Sequence, residues 1–550
     1  MLVLDINNLK KYYGDRLVLH IEDLKVYSED KIGIVGLNGS GKTTLLNLIS
    51  KDIRPDRGGV ETFGTLSYIK QIGDIGRDMI DGKHISEFGL KNKKKDSMSG
   101  GEITRLKIAK SLSENSNLLL ADEPTSNLDL EGINMLLEKL LAFDGGLLMV
   151  SHDRDLLDKV CNRILEIEDG HIKLYQGNYS HYKEQKDLER RTKELEYENY
   201  IKEKRKLERA IIETKSKSKS MRKAPKRMGN SEARLHKMAS QNARRSLEKK
   251  AKAMETRLKK LEIKESIKDI EKIKVDILGH EIYSKIAIEG KNVKKSFGDK
   301  ILFKGGNFQI YTGRKTALIG KNGSGKTTLL NMILNEEEGI NISKKAKIGY
   351  FSQDLSILDD DKTIIHNVIE HSIYDETTVR IMLARLLFKR EDVYKKVNVL
   401  SGGERVKASL AKILLSDFNI LVLDEPTNYL DIYSIESIEE ALSQYEGTIL
   451  FVSHDRRFIE QVADNIIYIE EQRIKAFNGT LKQLEARKNR KYDGELKELM
   501  EKKAVLEYRM TEILGKLSMP SKDDDIEALD NEYKEILKKL KDIKLGQGDG

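Results

Sequence analysis

Hydrophobic positions along this chain fall into distinct rhythms. Short unbroken apolar runs occur at Ile32-Gly33-Ile34-Val35, Leu118–Ala121 and Leu147–Val150, and again at Ala317-Leu318-Ile319 and Ile420–Leu423. Runs of strand length without polar alternation predict strands buried on both faces of a parallel sheet. Elsewhere the rhythm is helical. Leu247, Ala251, Met254, Leu258 and Leu261 follow a 4-3-4-3 spacing, which places them on one helix stripe, as in a coiled-coil seam. Leu188, Leu195, Tyr197, Ile201, Leu207 and Ile211 are patterned less cleanly. Between the two stretches lies KSKSKSMRKAPKRMGNSEARLHK, with Pro225 and Gly229 as helix breakers. This predicts two long antiparallel helices joined by a tip near residues 214–240. A similar pattern ends the chain. Leu506, Met510, Ile513 and Leu517 precede a break at Met519-Pro520-Ser521, and Ile526, Leu529, Tyr533, Ile536 and Leu540 follow it. The Asp523–Asp525 run suits the start of that last helix, where negative charge opposes the macrodipole.

The chain also repeats itself. GLNGSGKTTLLNLI at Gly36 recurs as GKNGSGKTTLLNMI at Gly320, an offset of 284. SGGE at Ser99 and Ser401, the DEPT segments at Asp122 and Asp424, and SHDR at Ser151 and Ser453 recur at an offset of 302. The same motifs in the same order indicate a duplicated domain. The expected organisation is a first domain at 1–182, a helical linker at 183–282, a second domain at 283–483 and a helical extension at 484–550. The fold class is α/β, with two nucleotide-loop domains, a long antiparallel helical linker and a C-terminal helical hairpin.

Composition narrows the classes. One Cys among 550 residues excludes an intrachain disulfide, and a reducing cytoplasm fits. No apolar run reaches the ~18 residues that a membrane-spanning helix needs. The opening MLVLDINNLKKYYG does not read as a signal peptide. Cys161 lies in LLDKVCNRI without a second Cys, so core packing is expected. The five prolines fall at turns, strand ends and hairpin tips, outside the proposed long helices.

Candidate chemistry sits at the ends of the apolar runs. GxxxxGK[ST] spans Gly36–Thr43 and Gly320–Thr327, each between a strand-like run and a helical one. Gly36, Asn38, Gly39, Ser40 and Gly41, with Gly320, Asn322, Gly323, Ser324 and Gly325, form loops whose backbone N–H groups converge on phosphate oxygens. Lys42 and Lys326 reach the β/γ-phosphates, Thr43 and Thr327 suit Mg²⁺, and Thr44 and Thr328, which continue each helix, are counted with them as nucleotide-binding residues. Asp122 and Asp424 suit a Mg²⁺ contact, direct or through water. Glu123 and Glu425 suit polarisation of a water aimed at the γ-phosphate. Ser99-Gly100-Gly101 and Ser401-Gly402-Gly403 each precede a helix, a local arrangement that binds anions.

Taken with Gln71 after Tyr68-Ile69-Lys70, Gln353 after Tyr350-Phe351-Ser352, and the NLD/YLD and SHD motifs, this set resembles an ATP-binding cassette domain, present twice. The resemblance implies ATP and Mg²⁺ as cofactors. It implies adenine stacking on Tyr13 and Phe297, with Tyr12 a rival of Tyr13. Gln71 and Gln353 would join Thr43, Asp122, Thr327 and Asp424 as metal ligands. His152 and His454 match the switch histidine that contacts the γ-phosphate. The sites would be composite, Lys42 with Ser401 and Lys326 with Ser99. Both copies keep every key residue, so both sites are expected to hydrolyse ATP.

Charge bears on what the ATPase acts upon. The chain nets +8, but residues 183–282 carry 31 Lys/Arg against 18 Asp/Glu, leaving the remainder at −5. Within 214–250 there are 13 basic and 2 acidic residues. A concentrated basic cluster is the footprint of phosphate-backbone contact. The candidates are Lys215, Lys217, Lys219, Arg222, Lys223, Lys226, Arg227, Arg234 and Lys237. The linker resembles that of the ABC-F family. The basic linker, the extension and the short gap between Gln71 and Ser99 are similar to its antibiotic-resistance branch, of the Vml, Vga and Lsa type. That resemblance implies a cytoplasmic, monomeric protein whose partner is the 70S ribosome, touching 23S rRNA and exit-site or P-site tRNA. It would protect the peptidyl-transferase centre from lincosamides, pleuromutilins and streptogramin A. A housekeeping ABC-F factor for stalled ribosomes is the alternative, and a DNA-repair or chromosome-associated coiled-coil ATPase is a further one.

Overall fold

The structure is a computed structural model. It describes residues 1–71, 98–114, 116–220, 230–261, 284–352, 357–389 and 391–488, with 490, 503, 505–506, 509–511, 513–514, 531 and 533–540; for 230–240 it describes the backbone alone. Gln353, Arg222, Lys223, Lys226 and Arg227 lie outside the described residues, as do the side chains of Arg234 and Lys237 and the breaks at Pro225 and Pro520.

In the first half, strands β1 (Leu2–Tyr13), β2 (Arg16–Tyr27) and β3 (Lys31–Val35) lead to helix α1 (Lys42–Ile49). Then come β4 (Arg57–Thr62), β5 (Leu66–Ile69), α2 (Gly100–Ser113), β6 (Leu118–Asp122), α3 (Leu130–Leu141), β7 (Gly146–Val150), α4 (Arg154–Val160), β8 (Arg163–Glu168) and β9 (His171–Gln176). Two long helices follow, α5 (Tyr179–Ser220) and α6 (Asn230–Lys260). The second half opens with β10 (Ile286–Gly290), β11 (Lys294–Phe297), β12 (Lys300–Gly306), β13 (Phe308–Tyr311), β14 (Lys315–Gly320) and α7 (Lys326–Leu334). It continues with β15 (Ile340–Ile342), β16 (Ile348–Phe351), α8 (Ile364–Ile369), α9 (Glu376–Arg385), α10 (Gly402–Leu415), β17 (Ile420–Asp424) and α11 (Ile432–Gln444). Strand β18 (Thr448–Val452), α12 (Arg456–Val462), β19 (Asn465–Glu470) and β20 (Arg473–Phe477) complete it.

The chain forms two compact units. One comprises residues 1–277, 355–416 and 427–444, so it contains helices α8 to α11 from the second half. The other comprises 278–354, 417–426 and 445–550. In the first unit a nine-stranded sheet runs β4-β1-β2-β9-β8-β3-β7-β6-β5. Its β8-β3-β7-β6-β5 part is parallel, and β6 and β7 are buried at every residue. Helices on both faces remove any solvent side, which is why these strands read as continuous apolar runs. In the second unit an eight-stranded sheet runs β11-β12-β20-β19-β14-β18-β17-β16, beside a three-stranded sheet β13-β10-β15.

Helices α5 and α6 run antiparallel. Glu203 meets Arg257 at 2.8 Å, and farther along Lys215 meets Glu255 at 2.5 Å. The stripe read from sequence is the face that packs: Ala251 is buried, and Leu247, Met254 and Leu258 are shielded beside exposed neighbours. On α5 Ile211 is buried, whereas Leu188 and Leu195 stay exposed. Cys161 is buried at the end of α4, and burial pushes its thiol up to about 12. Among the described residues no helix is long and apolar enough to cross a membrane.

Candidate functional site

Each GxxxxGK[ST] segment sits where a buried parallel strand ends and a helix begins: β3 into α1 in the first unit, β14 into α7 in the second. Gly41 and Gly325 occupy the N-cap positions in the left-handed region, with φ of 105° and 100°. Side chains strain there, and a Cβ on Gly325 would lie 2.7 Å from both Leu302 and Phe303. Neither helix has a side-chain cap or an acidic residue in its first turn. Helix α2, by contrast, is capped by Ser99 and α3 by Asp129. The first-turn N–H groups of α1 and α7 are therefore left for an anion.

Lys42 Nζ donates to the carbonyls of Gly36 (2.8 Å) and Leu37 (3.1 Å); Lys326 donates to Gly320 (3.0 Å) and Lys321 (3.2 Å). Both ammonium groups are thus folded back across their own loops. Burial pushes the Lys42 pKa down, and the nearby Glu123, Asp431 and Asp122 carboxylates oppose this.

The paired acids arrive at the ends of β6 and β17. Burial raises the pKa of Asp122, against a hydrogen bond from Thr43 and the Lys42 charge; Asp424 is raised by burial against Thr327 and Lys326. Oδ1 of each aspartate is enclosed without a hydrogen-bond partner among the described residues, and so are Ser40 Oγ and Ser324 Oγ. Orphaned buried oxygens are costly unless a ligand completes them. A hard oxygen-seeking cation such as Mg²⁺ fits this donor set.

Glu123 and Glu425 follow in the left-handed region, at φ of 50° and 53°. A non-glycine residue held there costs about 1–3 kcal/mol, and the surroundings must enforce it. The clamp is visible: the Glu123 N–H donates to the Val150 carbonyl at 2.9 Å, and that of Glu425 to Val452 at 3.1 Å. His152 Nε2 lies 3.2 Å from Glu123 Oε1, and His454 Nε2 lies 3.2 Å from Glu425 Oε1. Burial raises the pKa of both glutamates. Burial and the Lys42 charge push the His152 imidazole down to about 3, which keeps it neutral near pH 7. Such a raised carboxyl is a stronger base toward water than an ordinary one.

Ser99 and Ser401 cap α2 and α10 with matching capping boxes, closed by Glu102 and Glu404. In the first unit α10 lies against the first loop. A Cβ on Gly403 would stand 3.1 Å from Asn38 Nδ2, and that amide donates to the Tyr429 carbonyl at 3.0 Å. The Asn38 N–H donates to Asp431 Oδ2 at 3.1 Å. In the sequence YLD is visible as a motif, but nothing there gives Tyr429 or Asp431 a role. The available signal is the repeat, since NLD at Asn127 and YLD at Tyr429 stand at the offset of 302; in the structure Asn127 and Tyr429 share an unusual positive φ, 64° and 65°. Asp129, the counterpart of Asp431, is instead held by Arg105 at 2.8 Å.

Tyr13 and Phe297 end β1 and β11 as exposed rings, each with a lysine nearby: Lys11 Nζ is 5.8 Å and Lys295 Nζ 5.7 Å from the ring centre. Tyr12 is the less exposed of the tyrosine pair, and its N–H donates to Asp56 at 2.7 Å. Gln71 is exposed just past β5, and its backbone carbonyl accepts from Lys107 at 2.9 Å.

The chain matches the ABC transporter family over residues 19–79, 77–126 and 303–428, and a second ABC transporter family over 165–241. It is 33% identical to the ribosome protection protein VmlR of Bacillus subtilis (strain 168), over 98% of each protein. The chain belongs to the ABC-F family. It is also 36% identical to the erythromycin resistance ATP-binding protein MsrA of Staphylococcus epidermidis, over 83% of this chain and 96% of that protein. Among solved structures it resembles the archaeal ribosome recycling factor aABCE1, crystallised with the stalk protein aP1. The TM-score is 0.57 at 19% identity, covering 85% of this chain and 89% of that one. As an ABC-F protein with tandem cassettes, it is an ATP-binding protein of an ATPase fold.

Gly403→Ala tests the contact between α10 and the first loop. The added methyl would stand 2.9 Å from the Tyr429 carbonyl and must displace it. Alanine is at least as good a helix former, so the melting temperature should hold while ATPase activity falls by roughly 10-fold, about 1.4 kcal/mol in the barrier. Unchanged turnover would show that the contact is idle.

Proposed function

We propose that this protein is an ATP-driven, cytoplasmic, monomeric ribosome-binding factor that protects the peptidyl-transferase centre from antibiotics. The observation that carries the reading is full-length similarity to a protein named for ribosome protection, together with similarity to one named for erythromycin resistance. The basic linker supports RNA as the load, since its positive charge is concentrated at 214–250 rather than mixed evenly. In this reading the tip enters the tRNA exit site near 23S rRNA and displaces tRNA or drug. Lys215, Lys217 and Lys219 are its described cations; Arg222, Lys223, Lys226, Arg227, Arg234 and Lys237 complete the proposed set.

ATP would bind at two composite sites. At the first, adenine stacks on Tyr13, Lys42 leaves its loop carbonyls for the β/γ-phosphates, and Ser401, Gly402 and Gly403 approach from α10. The proximity of Asn38 to Asp431 supports this pairing. The second site would use Phe297 and Lys326 with Ser99, Gly100 and Gly101. Thr43, Gln71 and Asp122 would hold Mg²⁺ at one site, and Thr327, Gln353 and Asp424 at the other. The ion would supply charge neutralisation across the phosphates. Glu123 and Glu425 accept a proton from the attacking water, and His152, neutral near pH 7, and His454 contact the γ-phosphate.

Expression in a drug-sensitive bacterium tests the reading. Inhibitory concentrations of lincosamides, pleuromutilins and streptogramin A should rise several-fold with the wild-type gene. They should not rise with Glu123→Gln/Glu425→Gln. Erythromycin joins the panel because one relative carries its name. Unchanged values for all of them would leave the housekeeping ABC-F role and end the resistance reading.

A further inference from the structure

The first unit holds a buried polar cluster that the ATP chemistry does not use. Glu166 on β8, 3% exposed, accepts from Tyr182 (2.8 Å) and Tyr433 (3.0 Å) at one oxygen and from Lys186 (2.8 Å) and Tyr175 (3.2 Å) at the other. The Tyr182 and Tyr433 hydroxyls also meet each other at 2.7 Å. One turn along α11, Glu436 accepts from Tyr179 (3.1 Å) and Lys183 (2.7 Å). One turn farther, Glu439 takes both terminal nitrogens of buried Arg154. Tyr179, Tyr182, Lys183 and Lys186 all belong to the first turns of α5, the opening helix of the linker. Tyr433, Glu436 and Glu439 share one face of α11.

Asp431 directly precedes helix α11. Asp431 Oδ1 accepts from the Ser434 N–H at 2.8 Å, holding the first turn, while Oδ2 accepts from Asn38 in the first phosphate loop. One rigid helix therefore touches the nucleotide loop at its start and the root of the linker along its length.

The duplication shows that the fold itself does not require this cluster. At the constant offset of 302, Glu166 corresponds to Tyr468, Tyr179 to Leu481, Tyr182 to Leu484 and Lys183 to Glu485. On the other side Tyr433, Glu436 and Glu439 correspond to Glu131, Asn134 and Leu137. Leu481 and Leu484 are simply buried. Arg456, the counterpart of Arg154, pairs with Glu460 and Glu485. Of the cluster only two cations recur, Arg154 as Arg456 and Lys186 as Lys488, the latter paired with Glu470; Glu166, its tyrosines and the α11 glutamates do not.

From this geometry we infer that the cluster is a latch coupling nucleotide at the first phosphate loop to the seating of α5. Tyr182 and Lys183 form its linker side, Tyr433 and Glu436 form its α11 side, and Glu166 on β8 bridges the two. ATP that stabilises the contact of Asp431 with the first loop keeps α11 seated against the linker root, and the linker is then held rigidly. Coupling of this kind is reciprocal, so strain on the linker feeds back on ATP affinity. The inference rests on ATP binding and does not depend on what the linker meets.

Amide hydrogen exchange of the full chain tests it, with Mg-AMPPNP and without nucleotide. In the wild type, nucleotide should slow exchange over residues 179–190 by roughly 10-fold or more. In Tyr433→Phe and in Glu436→Gln that slowing should fall below about 2-fold, while residues 36–46 are slowed as in the wild type. Tyr468→Phe, in the second copy, should behave as wild type. A melting curve checks folding, and the near-isosteric Glu436→Gln carries the test if Tyr433→Phe is unstable. The latch is refuted if protection of 179–190 is the same with and without nucleotide in the wild type, or if both variants keep the nucleotide-induced protection.

Discussion

Replacing Glu123 and Glu425 together by Gln is expected to slow ATP hydrolysis by at least 100-fold while leaving ATP bound. General-base assistance contributes about 10²–10⁴-fold, or roughly 3–5 kcal/mol of barrier. Gln keeps the shape but accepts a proton far more weakly. Both glutamates are clamped in the left-handed region by matching backbone hydrogen bonds. Both stand 3.2 Å from a histidine at the end of a parallel strand. Strain repeated at equivalent positions points to a fixed direction for the side chain rather than to packing. Single-turnover and steady-state rates, with nucleotide retention measured by filtration, check the result. Wild-type turnover in the double variant would remove these residues from the chemistry. If each single variant keeps about half the activity, the two sites act independently.

The second large effect concerns the linker. Replacing residues 219–232 by a short Gly/Ser turn should abolish antibiotic protection and leave ATP affinity within about 2-fold of wild type. The segment contains Lys219, Arg222, Lys223, Lys226 and Arg227. For every RNA phosphate that is no longer neutralised, the salt dependence of binding should weaken by roughly 0.7–0.9 in slope, so affinity should fall most at low salt. The helices beneath remain tied by the Lys215–Glu255 and Glu203–Arg257 pairs. Collapse of ATP binding in this variant, measured with a fluorescent analogue, would make the tip structural.

The features that sequence makes legible are those whose chemistry is local. A phosphate loop needs glycines, a lysine and a hydroxyl within a few residues, and a buried parallel strand needs an unbroken apolar run. Lys42, Asp122, Glu123 and His152 therefore stand out, and the repeat doubles the signal. The seam at Ala251 is legible because helical periodicity survives in the sequence, whereas Leu188 and Leu195 are apolar without being buried. What escapes depends on distance along the chain. Asn38 and Asp431 are 393 residues apart, and no local pattern announces their contact. Glu166, Tyr182 and Tyr433 each look like ordinary positions of a strand or helix. Their shared hydrogen bonds follow from the tertiary fold. Only aligning the two copies reveals that these polar residues replace apolar or unrelated ones.

In the proposed function ATP drives this protein onto the ribosome. That step is tested most directly by centrifuging Glu123→Gln/Glu425→Gln protein with 70S ribosomes through a sucrose cushion. Near-stoichiometric pelleting with ATP and little with ADP is the expected result. Protein that stays in the supernatant with ATP present, yet binds duplex DNA, would contradict it.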